Sequence, residues 1–130
     1  MRDFAARLVL GLGVVYVLVG LVGFALTGAS GFAATTGPSL LFFEINPLHN
    51  LIHIAVGGGL IAGAAAGRNG LRVVAGTIAA VYALVGIVGF LVIGTSANIL
   101  ALNVADNFLH LASAVLLFYA VARPPAQVEA

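Results

Sequence analysis

The chain of 130 residues is 62% hydrophobic and 7% charged, with a net charge of +1 and no cysteine. A soluble domain carries about 25% charged residues, so the composition excludes an ordinary cytosolic enzyme and a disordered segment, and the near-neutral charge leaves no basic footprint for nucleic acid. Without cysteine there is no disulfide, no thiolate nucleophile and no zinc or iron–sulfur site built on sulfur.

What remains is an integral membrane protein whose first partner is the lipid bilayer. A membrane helix needs about 20 mostly apolar residues. The apolar runs between charges predict four spans, at residues 8–27, 47–67, 73–94 and 104–122. They are too long for barrel strands and lack apolar/polar alternation. In lipid every backbone polar group must be satisfied internally, which leaves helices. The first run follows arginine and ends near Gly28-Ala29-Ser30, as a secretory signal would. It exceeds the roughly 7–15 apolar residues of such a signal, however, and span 3 nearly copies it inside the chain. Between spans 1 and 2, residues 37–45 include Leu40-Leu41-Phe42-Phe43 and read as an interfacial or partly re-entrant segment over the outer ends of the helices.

The cations are Arg2, Arg7, Arg68, Arg72 and Arg123, in the N-terminal stub, the loop between spans 2 and 3, and the C-terminal tail. The positive-inside rule places both termini and the middle loop in the cytoplasm, with 123–130 a short cytoplasmic tail. Arginine without lysine, and abundant Ala, Gly and Val, point to a bacterial cytoplasmic membrane.

An internal repeat organises the chain. The run from Tyr16 through Gly20, Gly23 and Phe24 returns in span 3 as Tyr82, Gly86, Gly89 and Phe90 with its spacing unchanged. Residues 37–55 align without gaps to 94–112, with Gly37/Gly94, Ser39/Ser96, Asn46/Asn103, Asn50/Asn107, His53/His110 and Ala55/Ala112 identical. The first match runs at a longer offset than the second, which places an insertion in the first outer loop. Each unit is a helical hairpin, so the copies are parallel repeats about an axis along the membrane normal. The expected fold is a single all-α domain over 1–130, a four-helix transmembrane bundle of two hairpins (repeat A about 8–67, repeat B about 73–122). Tyr16, Gly20 and Gly23 share one helix face, as do Tyr82, Gly86 and Gly89, and read as helix-packing seams.

The strong polar groups gather at the outer ends of spans 2 and 4. Asn46 before Pro47 is an expected N-cap, and Asn103 its counterpart. Helical spacing puts Asn46, His49, Asn50 and His53 on one stripe, and Asn103, Asp106, Asn107 and His110 on another. Facing stripes would form an outward-open polar pocket with His53 and His110 at its floor and His49, Asp106 and Glu44 at its mouth. Ionisable groups at such depth mark a functional site by default.

Three readings compete. The side chains form a hydrogen-bonded structural network holding the hairpins together. Or His49, His53, Asp106 and His110 hold a transition metal, with a haem ligated by His53 and His110 as a variant. Or the pocket recognises an ion or small ligand, as in a sensor. No GxSxG, P-loop or HExxH is present, so catalysis has little support. Side chains lean toward their own helix N-terminus, so Tyr16 and Tyr82 are expected to lean away from the histidines. A second copy of the chain or another membrane protein is a further partner to consider.

The run Phe43-Glu44-Ile45-Asn46-Pro47-Leu48-His49-Asn50-Leu51-Ile52-His53, with Ala105-Asp106-Asn107-Phe108-Leu109-His110-Leu111 later, resembles the bacterial integral-membrane family catalogued as domain of unknown function 4383. The resemblance implies a small four-span protein, marks His49, His53, Asp106 and His110 as family-typical polar positions, and implies no activity.

A reporter fused to the C-terminus is expected to read out on the cytoplasmic side. A reporter active outside the cell would overturn the span count.

Overall fold

The computed structural model describes residues 4–123. Four helices follow one another, α1 (Phe4–Thr27), α2 (Pro47–Ala65), α3 (Gly67–Val92) and α4 (Val104–Ala122). Between α1 and α2 lie two short antiparallel strands, β1 (Ser39–Leu40) and β2 (Phe43–Glu44). All four helices are long and apolar enough to cross a membrane, and apart from the small hairpin the fold is an all-α four-helix bundle.

These helices are apolar on every side, so residue size rather than polarity separates inner from outer faces. Val15, Leu18, Leu21, Leu84, Ile87 and Val115 are exposed, while Gly13, Gly20, Gly23, Ala75, Ala79 and Gly86 are buried. The helices pair as two hairpins, α1 with α2 and α3 with α4. α2 packs less closely on α3, and α1 barely touches α4.

The glycines set the first seam. A methyl group at Gly57 would lie 2.5 Å from the Gly13 carbonyl oxygen, and one at Gly20 would lie 2.6 Å from the Asn50 carbonyl oxygen. Backbone therefore lies on backbone between α1 and α2. Farther along, a methyl at Gly23 would collide with the Asn50 amide, and one at Gly89 with the Asn107 amide. The same glycine–asparagine contact occurs once in each hairpin.

Both α2 and α4 start at asparagine caps. Asn46 Oδ1 accepts from the His49 amide at 2.8 Å, and Pro47 occupies the first helical position. Asn103 Oδ1 accepts from the Asp106 amide at 3.0 Å while Asp106 Oδ2 accepts from the Asn103 amide at 3.2 Å, a reciprocal capping box. The caps also tie the hairpins together. Asn46 Nδ2 donates to the Ala34 carbonyl at 2.7 Å and to the Ile99 carbonyl at 2.8 Å, and Asn103 Nδ2 donates to the Phe42 carbonyl at 2.9 Å.

One expected boundary differs. The basic loop between spans 2 and 3 is mostly helix: Ala66 alone separates α2 from α3, and Arg68 and Arg72 lie in the first turns of α3. Hydropathy marks where apolar sequence stops, whereas the hydrogen-bonded backbone runs on. Gly67, at φ 82°, supplies the left-handed conformation that so short a reversal needs. Residues 37–45 form the β-hairpin, with Leu41 and Phe42 exposed at its tip. Its strands pair through their own backbone, and Ile45 N–H closes onto the Pro38 carbonyl at 3.0 Å.

Arg7, Arg68, Arg72 and Arg123 all fall at the end of the bundle opposite the asparagine caps. There Arg68 Nη2 donates to the Arg123 carbonyl at 2.6 Å, and the Arg123 guanidinium lies 4.6 Å from the Tyr119 ring centroid. Arg2 and the tail beyond Arg123 lie outside the described residues.

Gly57→Ala is expected to lower stability by about 1–3 kcal/mol, because two backbones must move apart. Gly58→Ala, with nothing within 4 Å of its added methyl, should be neutral or stabilising by up to about 1 kcal/mol. Thermal unfolding in detergent of the two variants checks the difference.

Candidate functional site

α2 and α4 bring three histidines together inside the capped end of the bundle. His49 and His53 are one turn apart on α2, and His110 reaches them from α4. The ring centroids are 4.4 Å apart for His49–His53, 5.9 Å for His49–His110 and 6.2 Å for His53–His110. One ring nitrogen from each lies within 4.8 Å of the others. The three residues are 1%, 3% and 4% exposed.

Two tyrosines complete the cluster, contrary to the expectation from side-chain lean. Tyr16 of α1 stands edge-on to His53 at 5.2 Å, Tyr82 of α3 edge-on to His110 at 4.9 Å, and the two tyrosines meet at 5.4 Å. The glycine seams explain the difference. With backbone on backbone, a phenol ring spans the remaining offset in depth, whatever its lean. The Tyr16 hydroxyl hydrogen-bonds the Ser113 hydroxyl of α4.

The stripes divide by residue type. The histidines turn to the centre of the bundle, while Asn50 and Asn107 turn to the neighbouring helix of their own hairpin. Asn50 Nδ2 donates to Thr27 Oγ1 at 3.0 Å, and Asn107 lies against Gly89. Asp106 does not join the three-nitrogen group. Its carboxylate is engaged in the capping box, and it stands on α4 where the alignment of the two hairpins sets it against His49. Glu44 sits half-buried in β2 and packs near Asp106.

The expected outward opening is closed. Ile45, Ala101 and Leu102 are buried in the turns that precede α2 and α4. Asn98, which the sequence reading passed over, holds the second of these turns: its Oδ1 accepts from the Leu102 amide at 2.8 Å and its Nδ2 donates to the Leu102 carbonyl at 2.9 Å. Ser113 was missed as well. Its place one turn after His110, on the same helix face, was the available signal, but the first hairpin has Val56 at the matching position.

The histidine nitrogens are unusual for groups so deeply buried. Both nitrogens of His49, both of His53 and Nδ1 of His110 have no hydrogen-bond partner among the described residues. The Glu44 and Leu100 carbonyls lie beside His49 without reaching its nitrogens at hydrogen-bond geometry. Each orphaned buried polar group costs about 1–3 kcal/mol. The unpartnered nitrogens therefore carry a penalty that the surrounding protein does not relieve, and one nitrogen of each ring lies within 4.8 Å of the others.

A family model described as domain of unknown function (DUF4383) matches residues 7–122. The chain belongs to this family. No curated protein and no solved structure matches it. The DUF4383 match takes in all five rings of the cluster, the capping asparagines and both glycine seams.

Since no hydrogen bond is lost, His53→Leu is expected to hold or raise the stability of the chelator-treated protein, by about 1–3 kcal/mol if the relieved penalty is fully realised. Thermal unfolding with chelator present measures this. A marked loss of stability would instead assign the histidines a hydrogen-bonding role between the hairpins.

Proposed function

We propose that this protein is a metal-binding integral membrane protein, without catalysis of its own, in which His49, His53 and His110 hold one divalent transition-metal ion. The observation that carries the reading is the convergence of three buried imidazoles, two of them with no hydrogen-bond partner at either nitrogen, with one nitrogen each inside a 4.8 Å span. A tetrahedral ion with bonds of about 2.0–2.1 Å needs its nitrogen ligands roughly 3.4 Å apart. Small ring rotations close that gap. Neutral nitrogen ligands suit zinc or copper(II), and three of them leave a fourth position for water or a small ligand.

The reading draws on one more feature. His49 and His53 belong to the first hairpin and His110 to the second, so an ion there clamps the hairpins where α1 and α4 make little contact. Asp106 and Glu44, near the caps, offset part of the ion's charge without binding it. A haem between His53 and His110 is disfavoured, because the rings of His49, Tyr16 and Tyr82 take the space that a macrocycle needs. A purely hydrogen-bonded histidine network is disfavoured by the unpartnered nitrogens.

The hairpins, in this reading, are copies of one unit. Asn46 reaches the Ile99 carbonyl and Asn103 the Phe42 carbonyl. In the alignment of the hairpins Asn103 is the counterpart of Asn46 and Ile99 that of Phe42, so the two cross-ties are one contact made twice. With the arginines gathered at the opposite end, the positive-inside rule puts the metal centre in the half of the membrane facing away from the cytoplasm.

Elemental analysis of the detergent-purified protein tests the proposal. One zinc or copper per chain is expected, with loss of the metal in His53→Ala/His110→Ala. Metal that persists in the double variant, or no uptake by wild type after incubation with either ion, would overturn it.

A further inference from the structure

At the arginine end of the bundle, Arg123 bridges α1 and α4. Its guanidinium lies 5.3 Å from the Phe4 ring centroid and 4.6 Å from that of Tyr119, and it donates to the Tyr119 hydroxyl. Arg68 of α3 donates to the Arg123 carbonyl, and Arg7 stands exposed one turn after Phe4. The acidic groups among the described residues, Glu44 and Asp106, are both at the opposite end. Phe4 and Tyr119 are 48% and 45% exposed, at the level where aromatic side chains meet lipid headgroups.

From this point the seam between α1 and α4 runs on into the bilayer. Phe4, Leu8, Leu12 and Val15 follow one another along α1 at helical spacing, as do Arg123, Tyr119, Leu116 and Ala112 along α4. Leu12, Val15, Ala112 and Leu116 line a cavity of about 220 Å³ whose walls are almost wholly carbon. Val15 and Leu116 are exposed, so it opens on lipid. A void in such a wall forfeits dispersion contacts. An apolar cavity of about 150 Å³ holds benzene, so this one takes the end of a single acyl chain. At about 1.5 Å per residue, Leu12 lies about 12 Å from Phe4 and Leu116 about 10 Å from Arg123. One leaflet's hydrocarbon is about 15 Å deep, so a tail anchored at Arg123 reaches the cavity.

We propose that the α1–α4 seam holds one anionic phospholipid from the leaflet at the arginine end, its phosphate on Arg123 and one tail in the cavity, with Arg68 and Arg7 adding charge beside it. The guanidinium fork matches phosphate oxygens two at a time. The Phe4 and Tyr119 rings already hold Arg123 in place, so little freedom is lost when a headgroup binds. A zwitterionic head would bring its own cation among the arginines, which favours a headgroup with net negative charge. The phosphate end lies opposite the histidines, so the site is independent of the metal reading.

The test is thermal unfolding of the full, chelator-treated chain in detergent, titrated with dioleoyl phosphatidylglycerol and, separately, with dioleoyl phosphatidylcholine. A saturable rise in Tm with phosphatidylglycerol is expected, and a much weaker one with phosphatidylcholine. Arg123→Gln should weaken apparent affinity about fivefold. Leu116→Trp and Ala112→Phe, which fill the cavity, should weaken it by about as much, and either one that folds is sufficient. Val115→Phe, exposed on the same helix outside the cavity, should leave it unchanged. Glycerol phosphate, a headgroup without tails, should give no shift at the same concentrations. An equal rise with phosphatidylcholine, no saturable shift, or undiminished affinity in Arg123→Gln would reduce the contact to ordinary surrounding lipid and overturn the proposal. Unchanged affinity in both cavity variants, or a full shift with glycerol phosphate, would also overturn it, leaving a surface attraction with no place for a tail.

Discussion

Close contact between α1 and α2, and between α3 and α4, governs the interior of this protein. Lipid tails are as apolar as the helix surfaces, so burial from water cannot hold membrane helices together, and packing and interhelical polar contacts must do so. Here the contact rests on Gly13, Gly20 and Gly57 in one hairpin and Gly86 in the other, with Gly23 and Gly89 each facing an asparagine amide. That spacing brings Tyr16 against His53 and Tyr82 against His110. A wider seam would leave the aromatic rings apart and admit lipid or water between them.

The buried polar residues fall into two kinds. Asn46, Asn98 and Asn103 engage their amides in caps, turns and cross-ties between the hairpins, using both ends of the side chain. They satisfy backbone groups that helix ends leave open, and their presence needs no ligand. Of the histidine nitrogens, both of His49, both of His53 and Nδ1 of His110 have no partner among the described residues. Groups that could have been leucine with no loss of hydrogen bonds, yet stand together as imidazoles, are the reason to assign the cluster a bound species.

Much of the architecture was legible in the chain. Apolar runs of sufficient length, bounded by single charges, specified four helices, and an asparagine before each of the second and fourth specified where those begin. Other features were not. Hydropathy ended span 2 and began span 3 around a basic loop, but the backbone turns at Ala66 alone and carries Arg68 and Arg72 into α3. The Leu-Leu-Phe-Phe run gave no sign of strand pairing, because strands as short as Ser39–Leu40 and Phe43–Glu44 leave no room for a period to register. Ser113 stood alone, without a counterpart in the first hairpin.

The sequence by itself determined a membrane-embedded, all-helical chain and, through i, i+4 spacing, that His49 and His53 share a helix face. Those properties depend on composition and on neighbours within two turns. The tertiary structure decided that His110 joins them and Asp106 does not, that the capped end is closed, and that the open seam lies between α1 and α4. Each of these depends on how far apart two helices sit and how they are rotated. Side-chain volumes at the crossing points set those quantities, and no periodicity along a single helix encodes them.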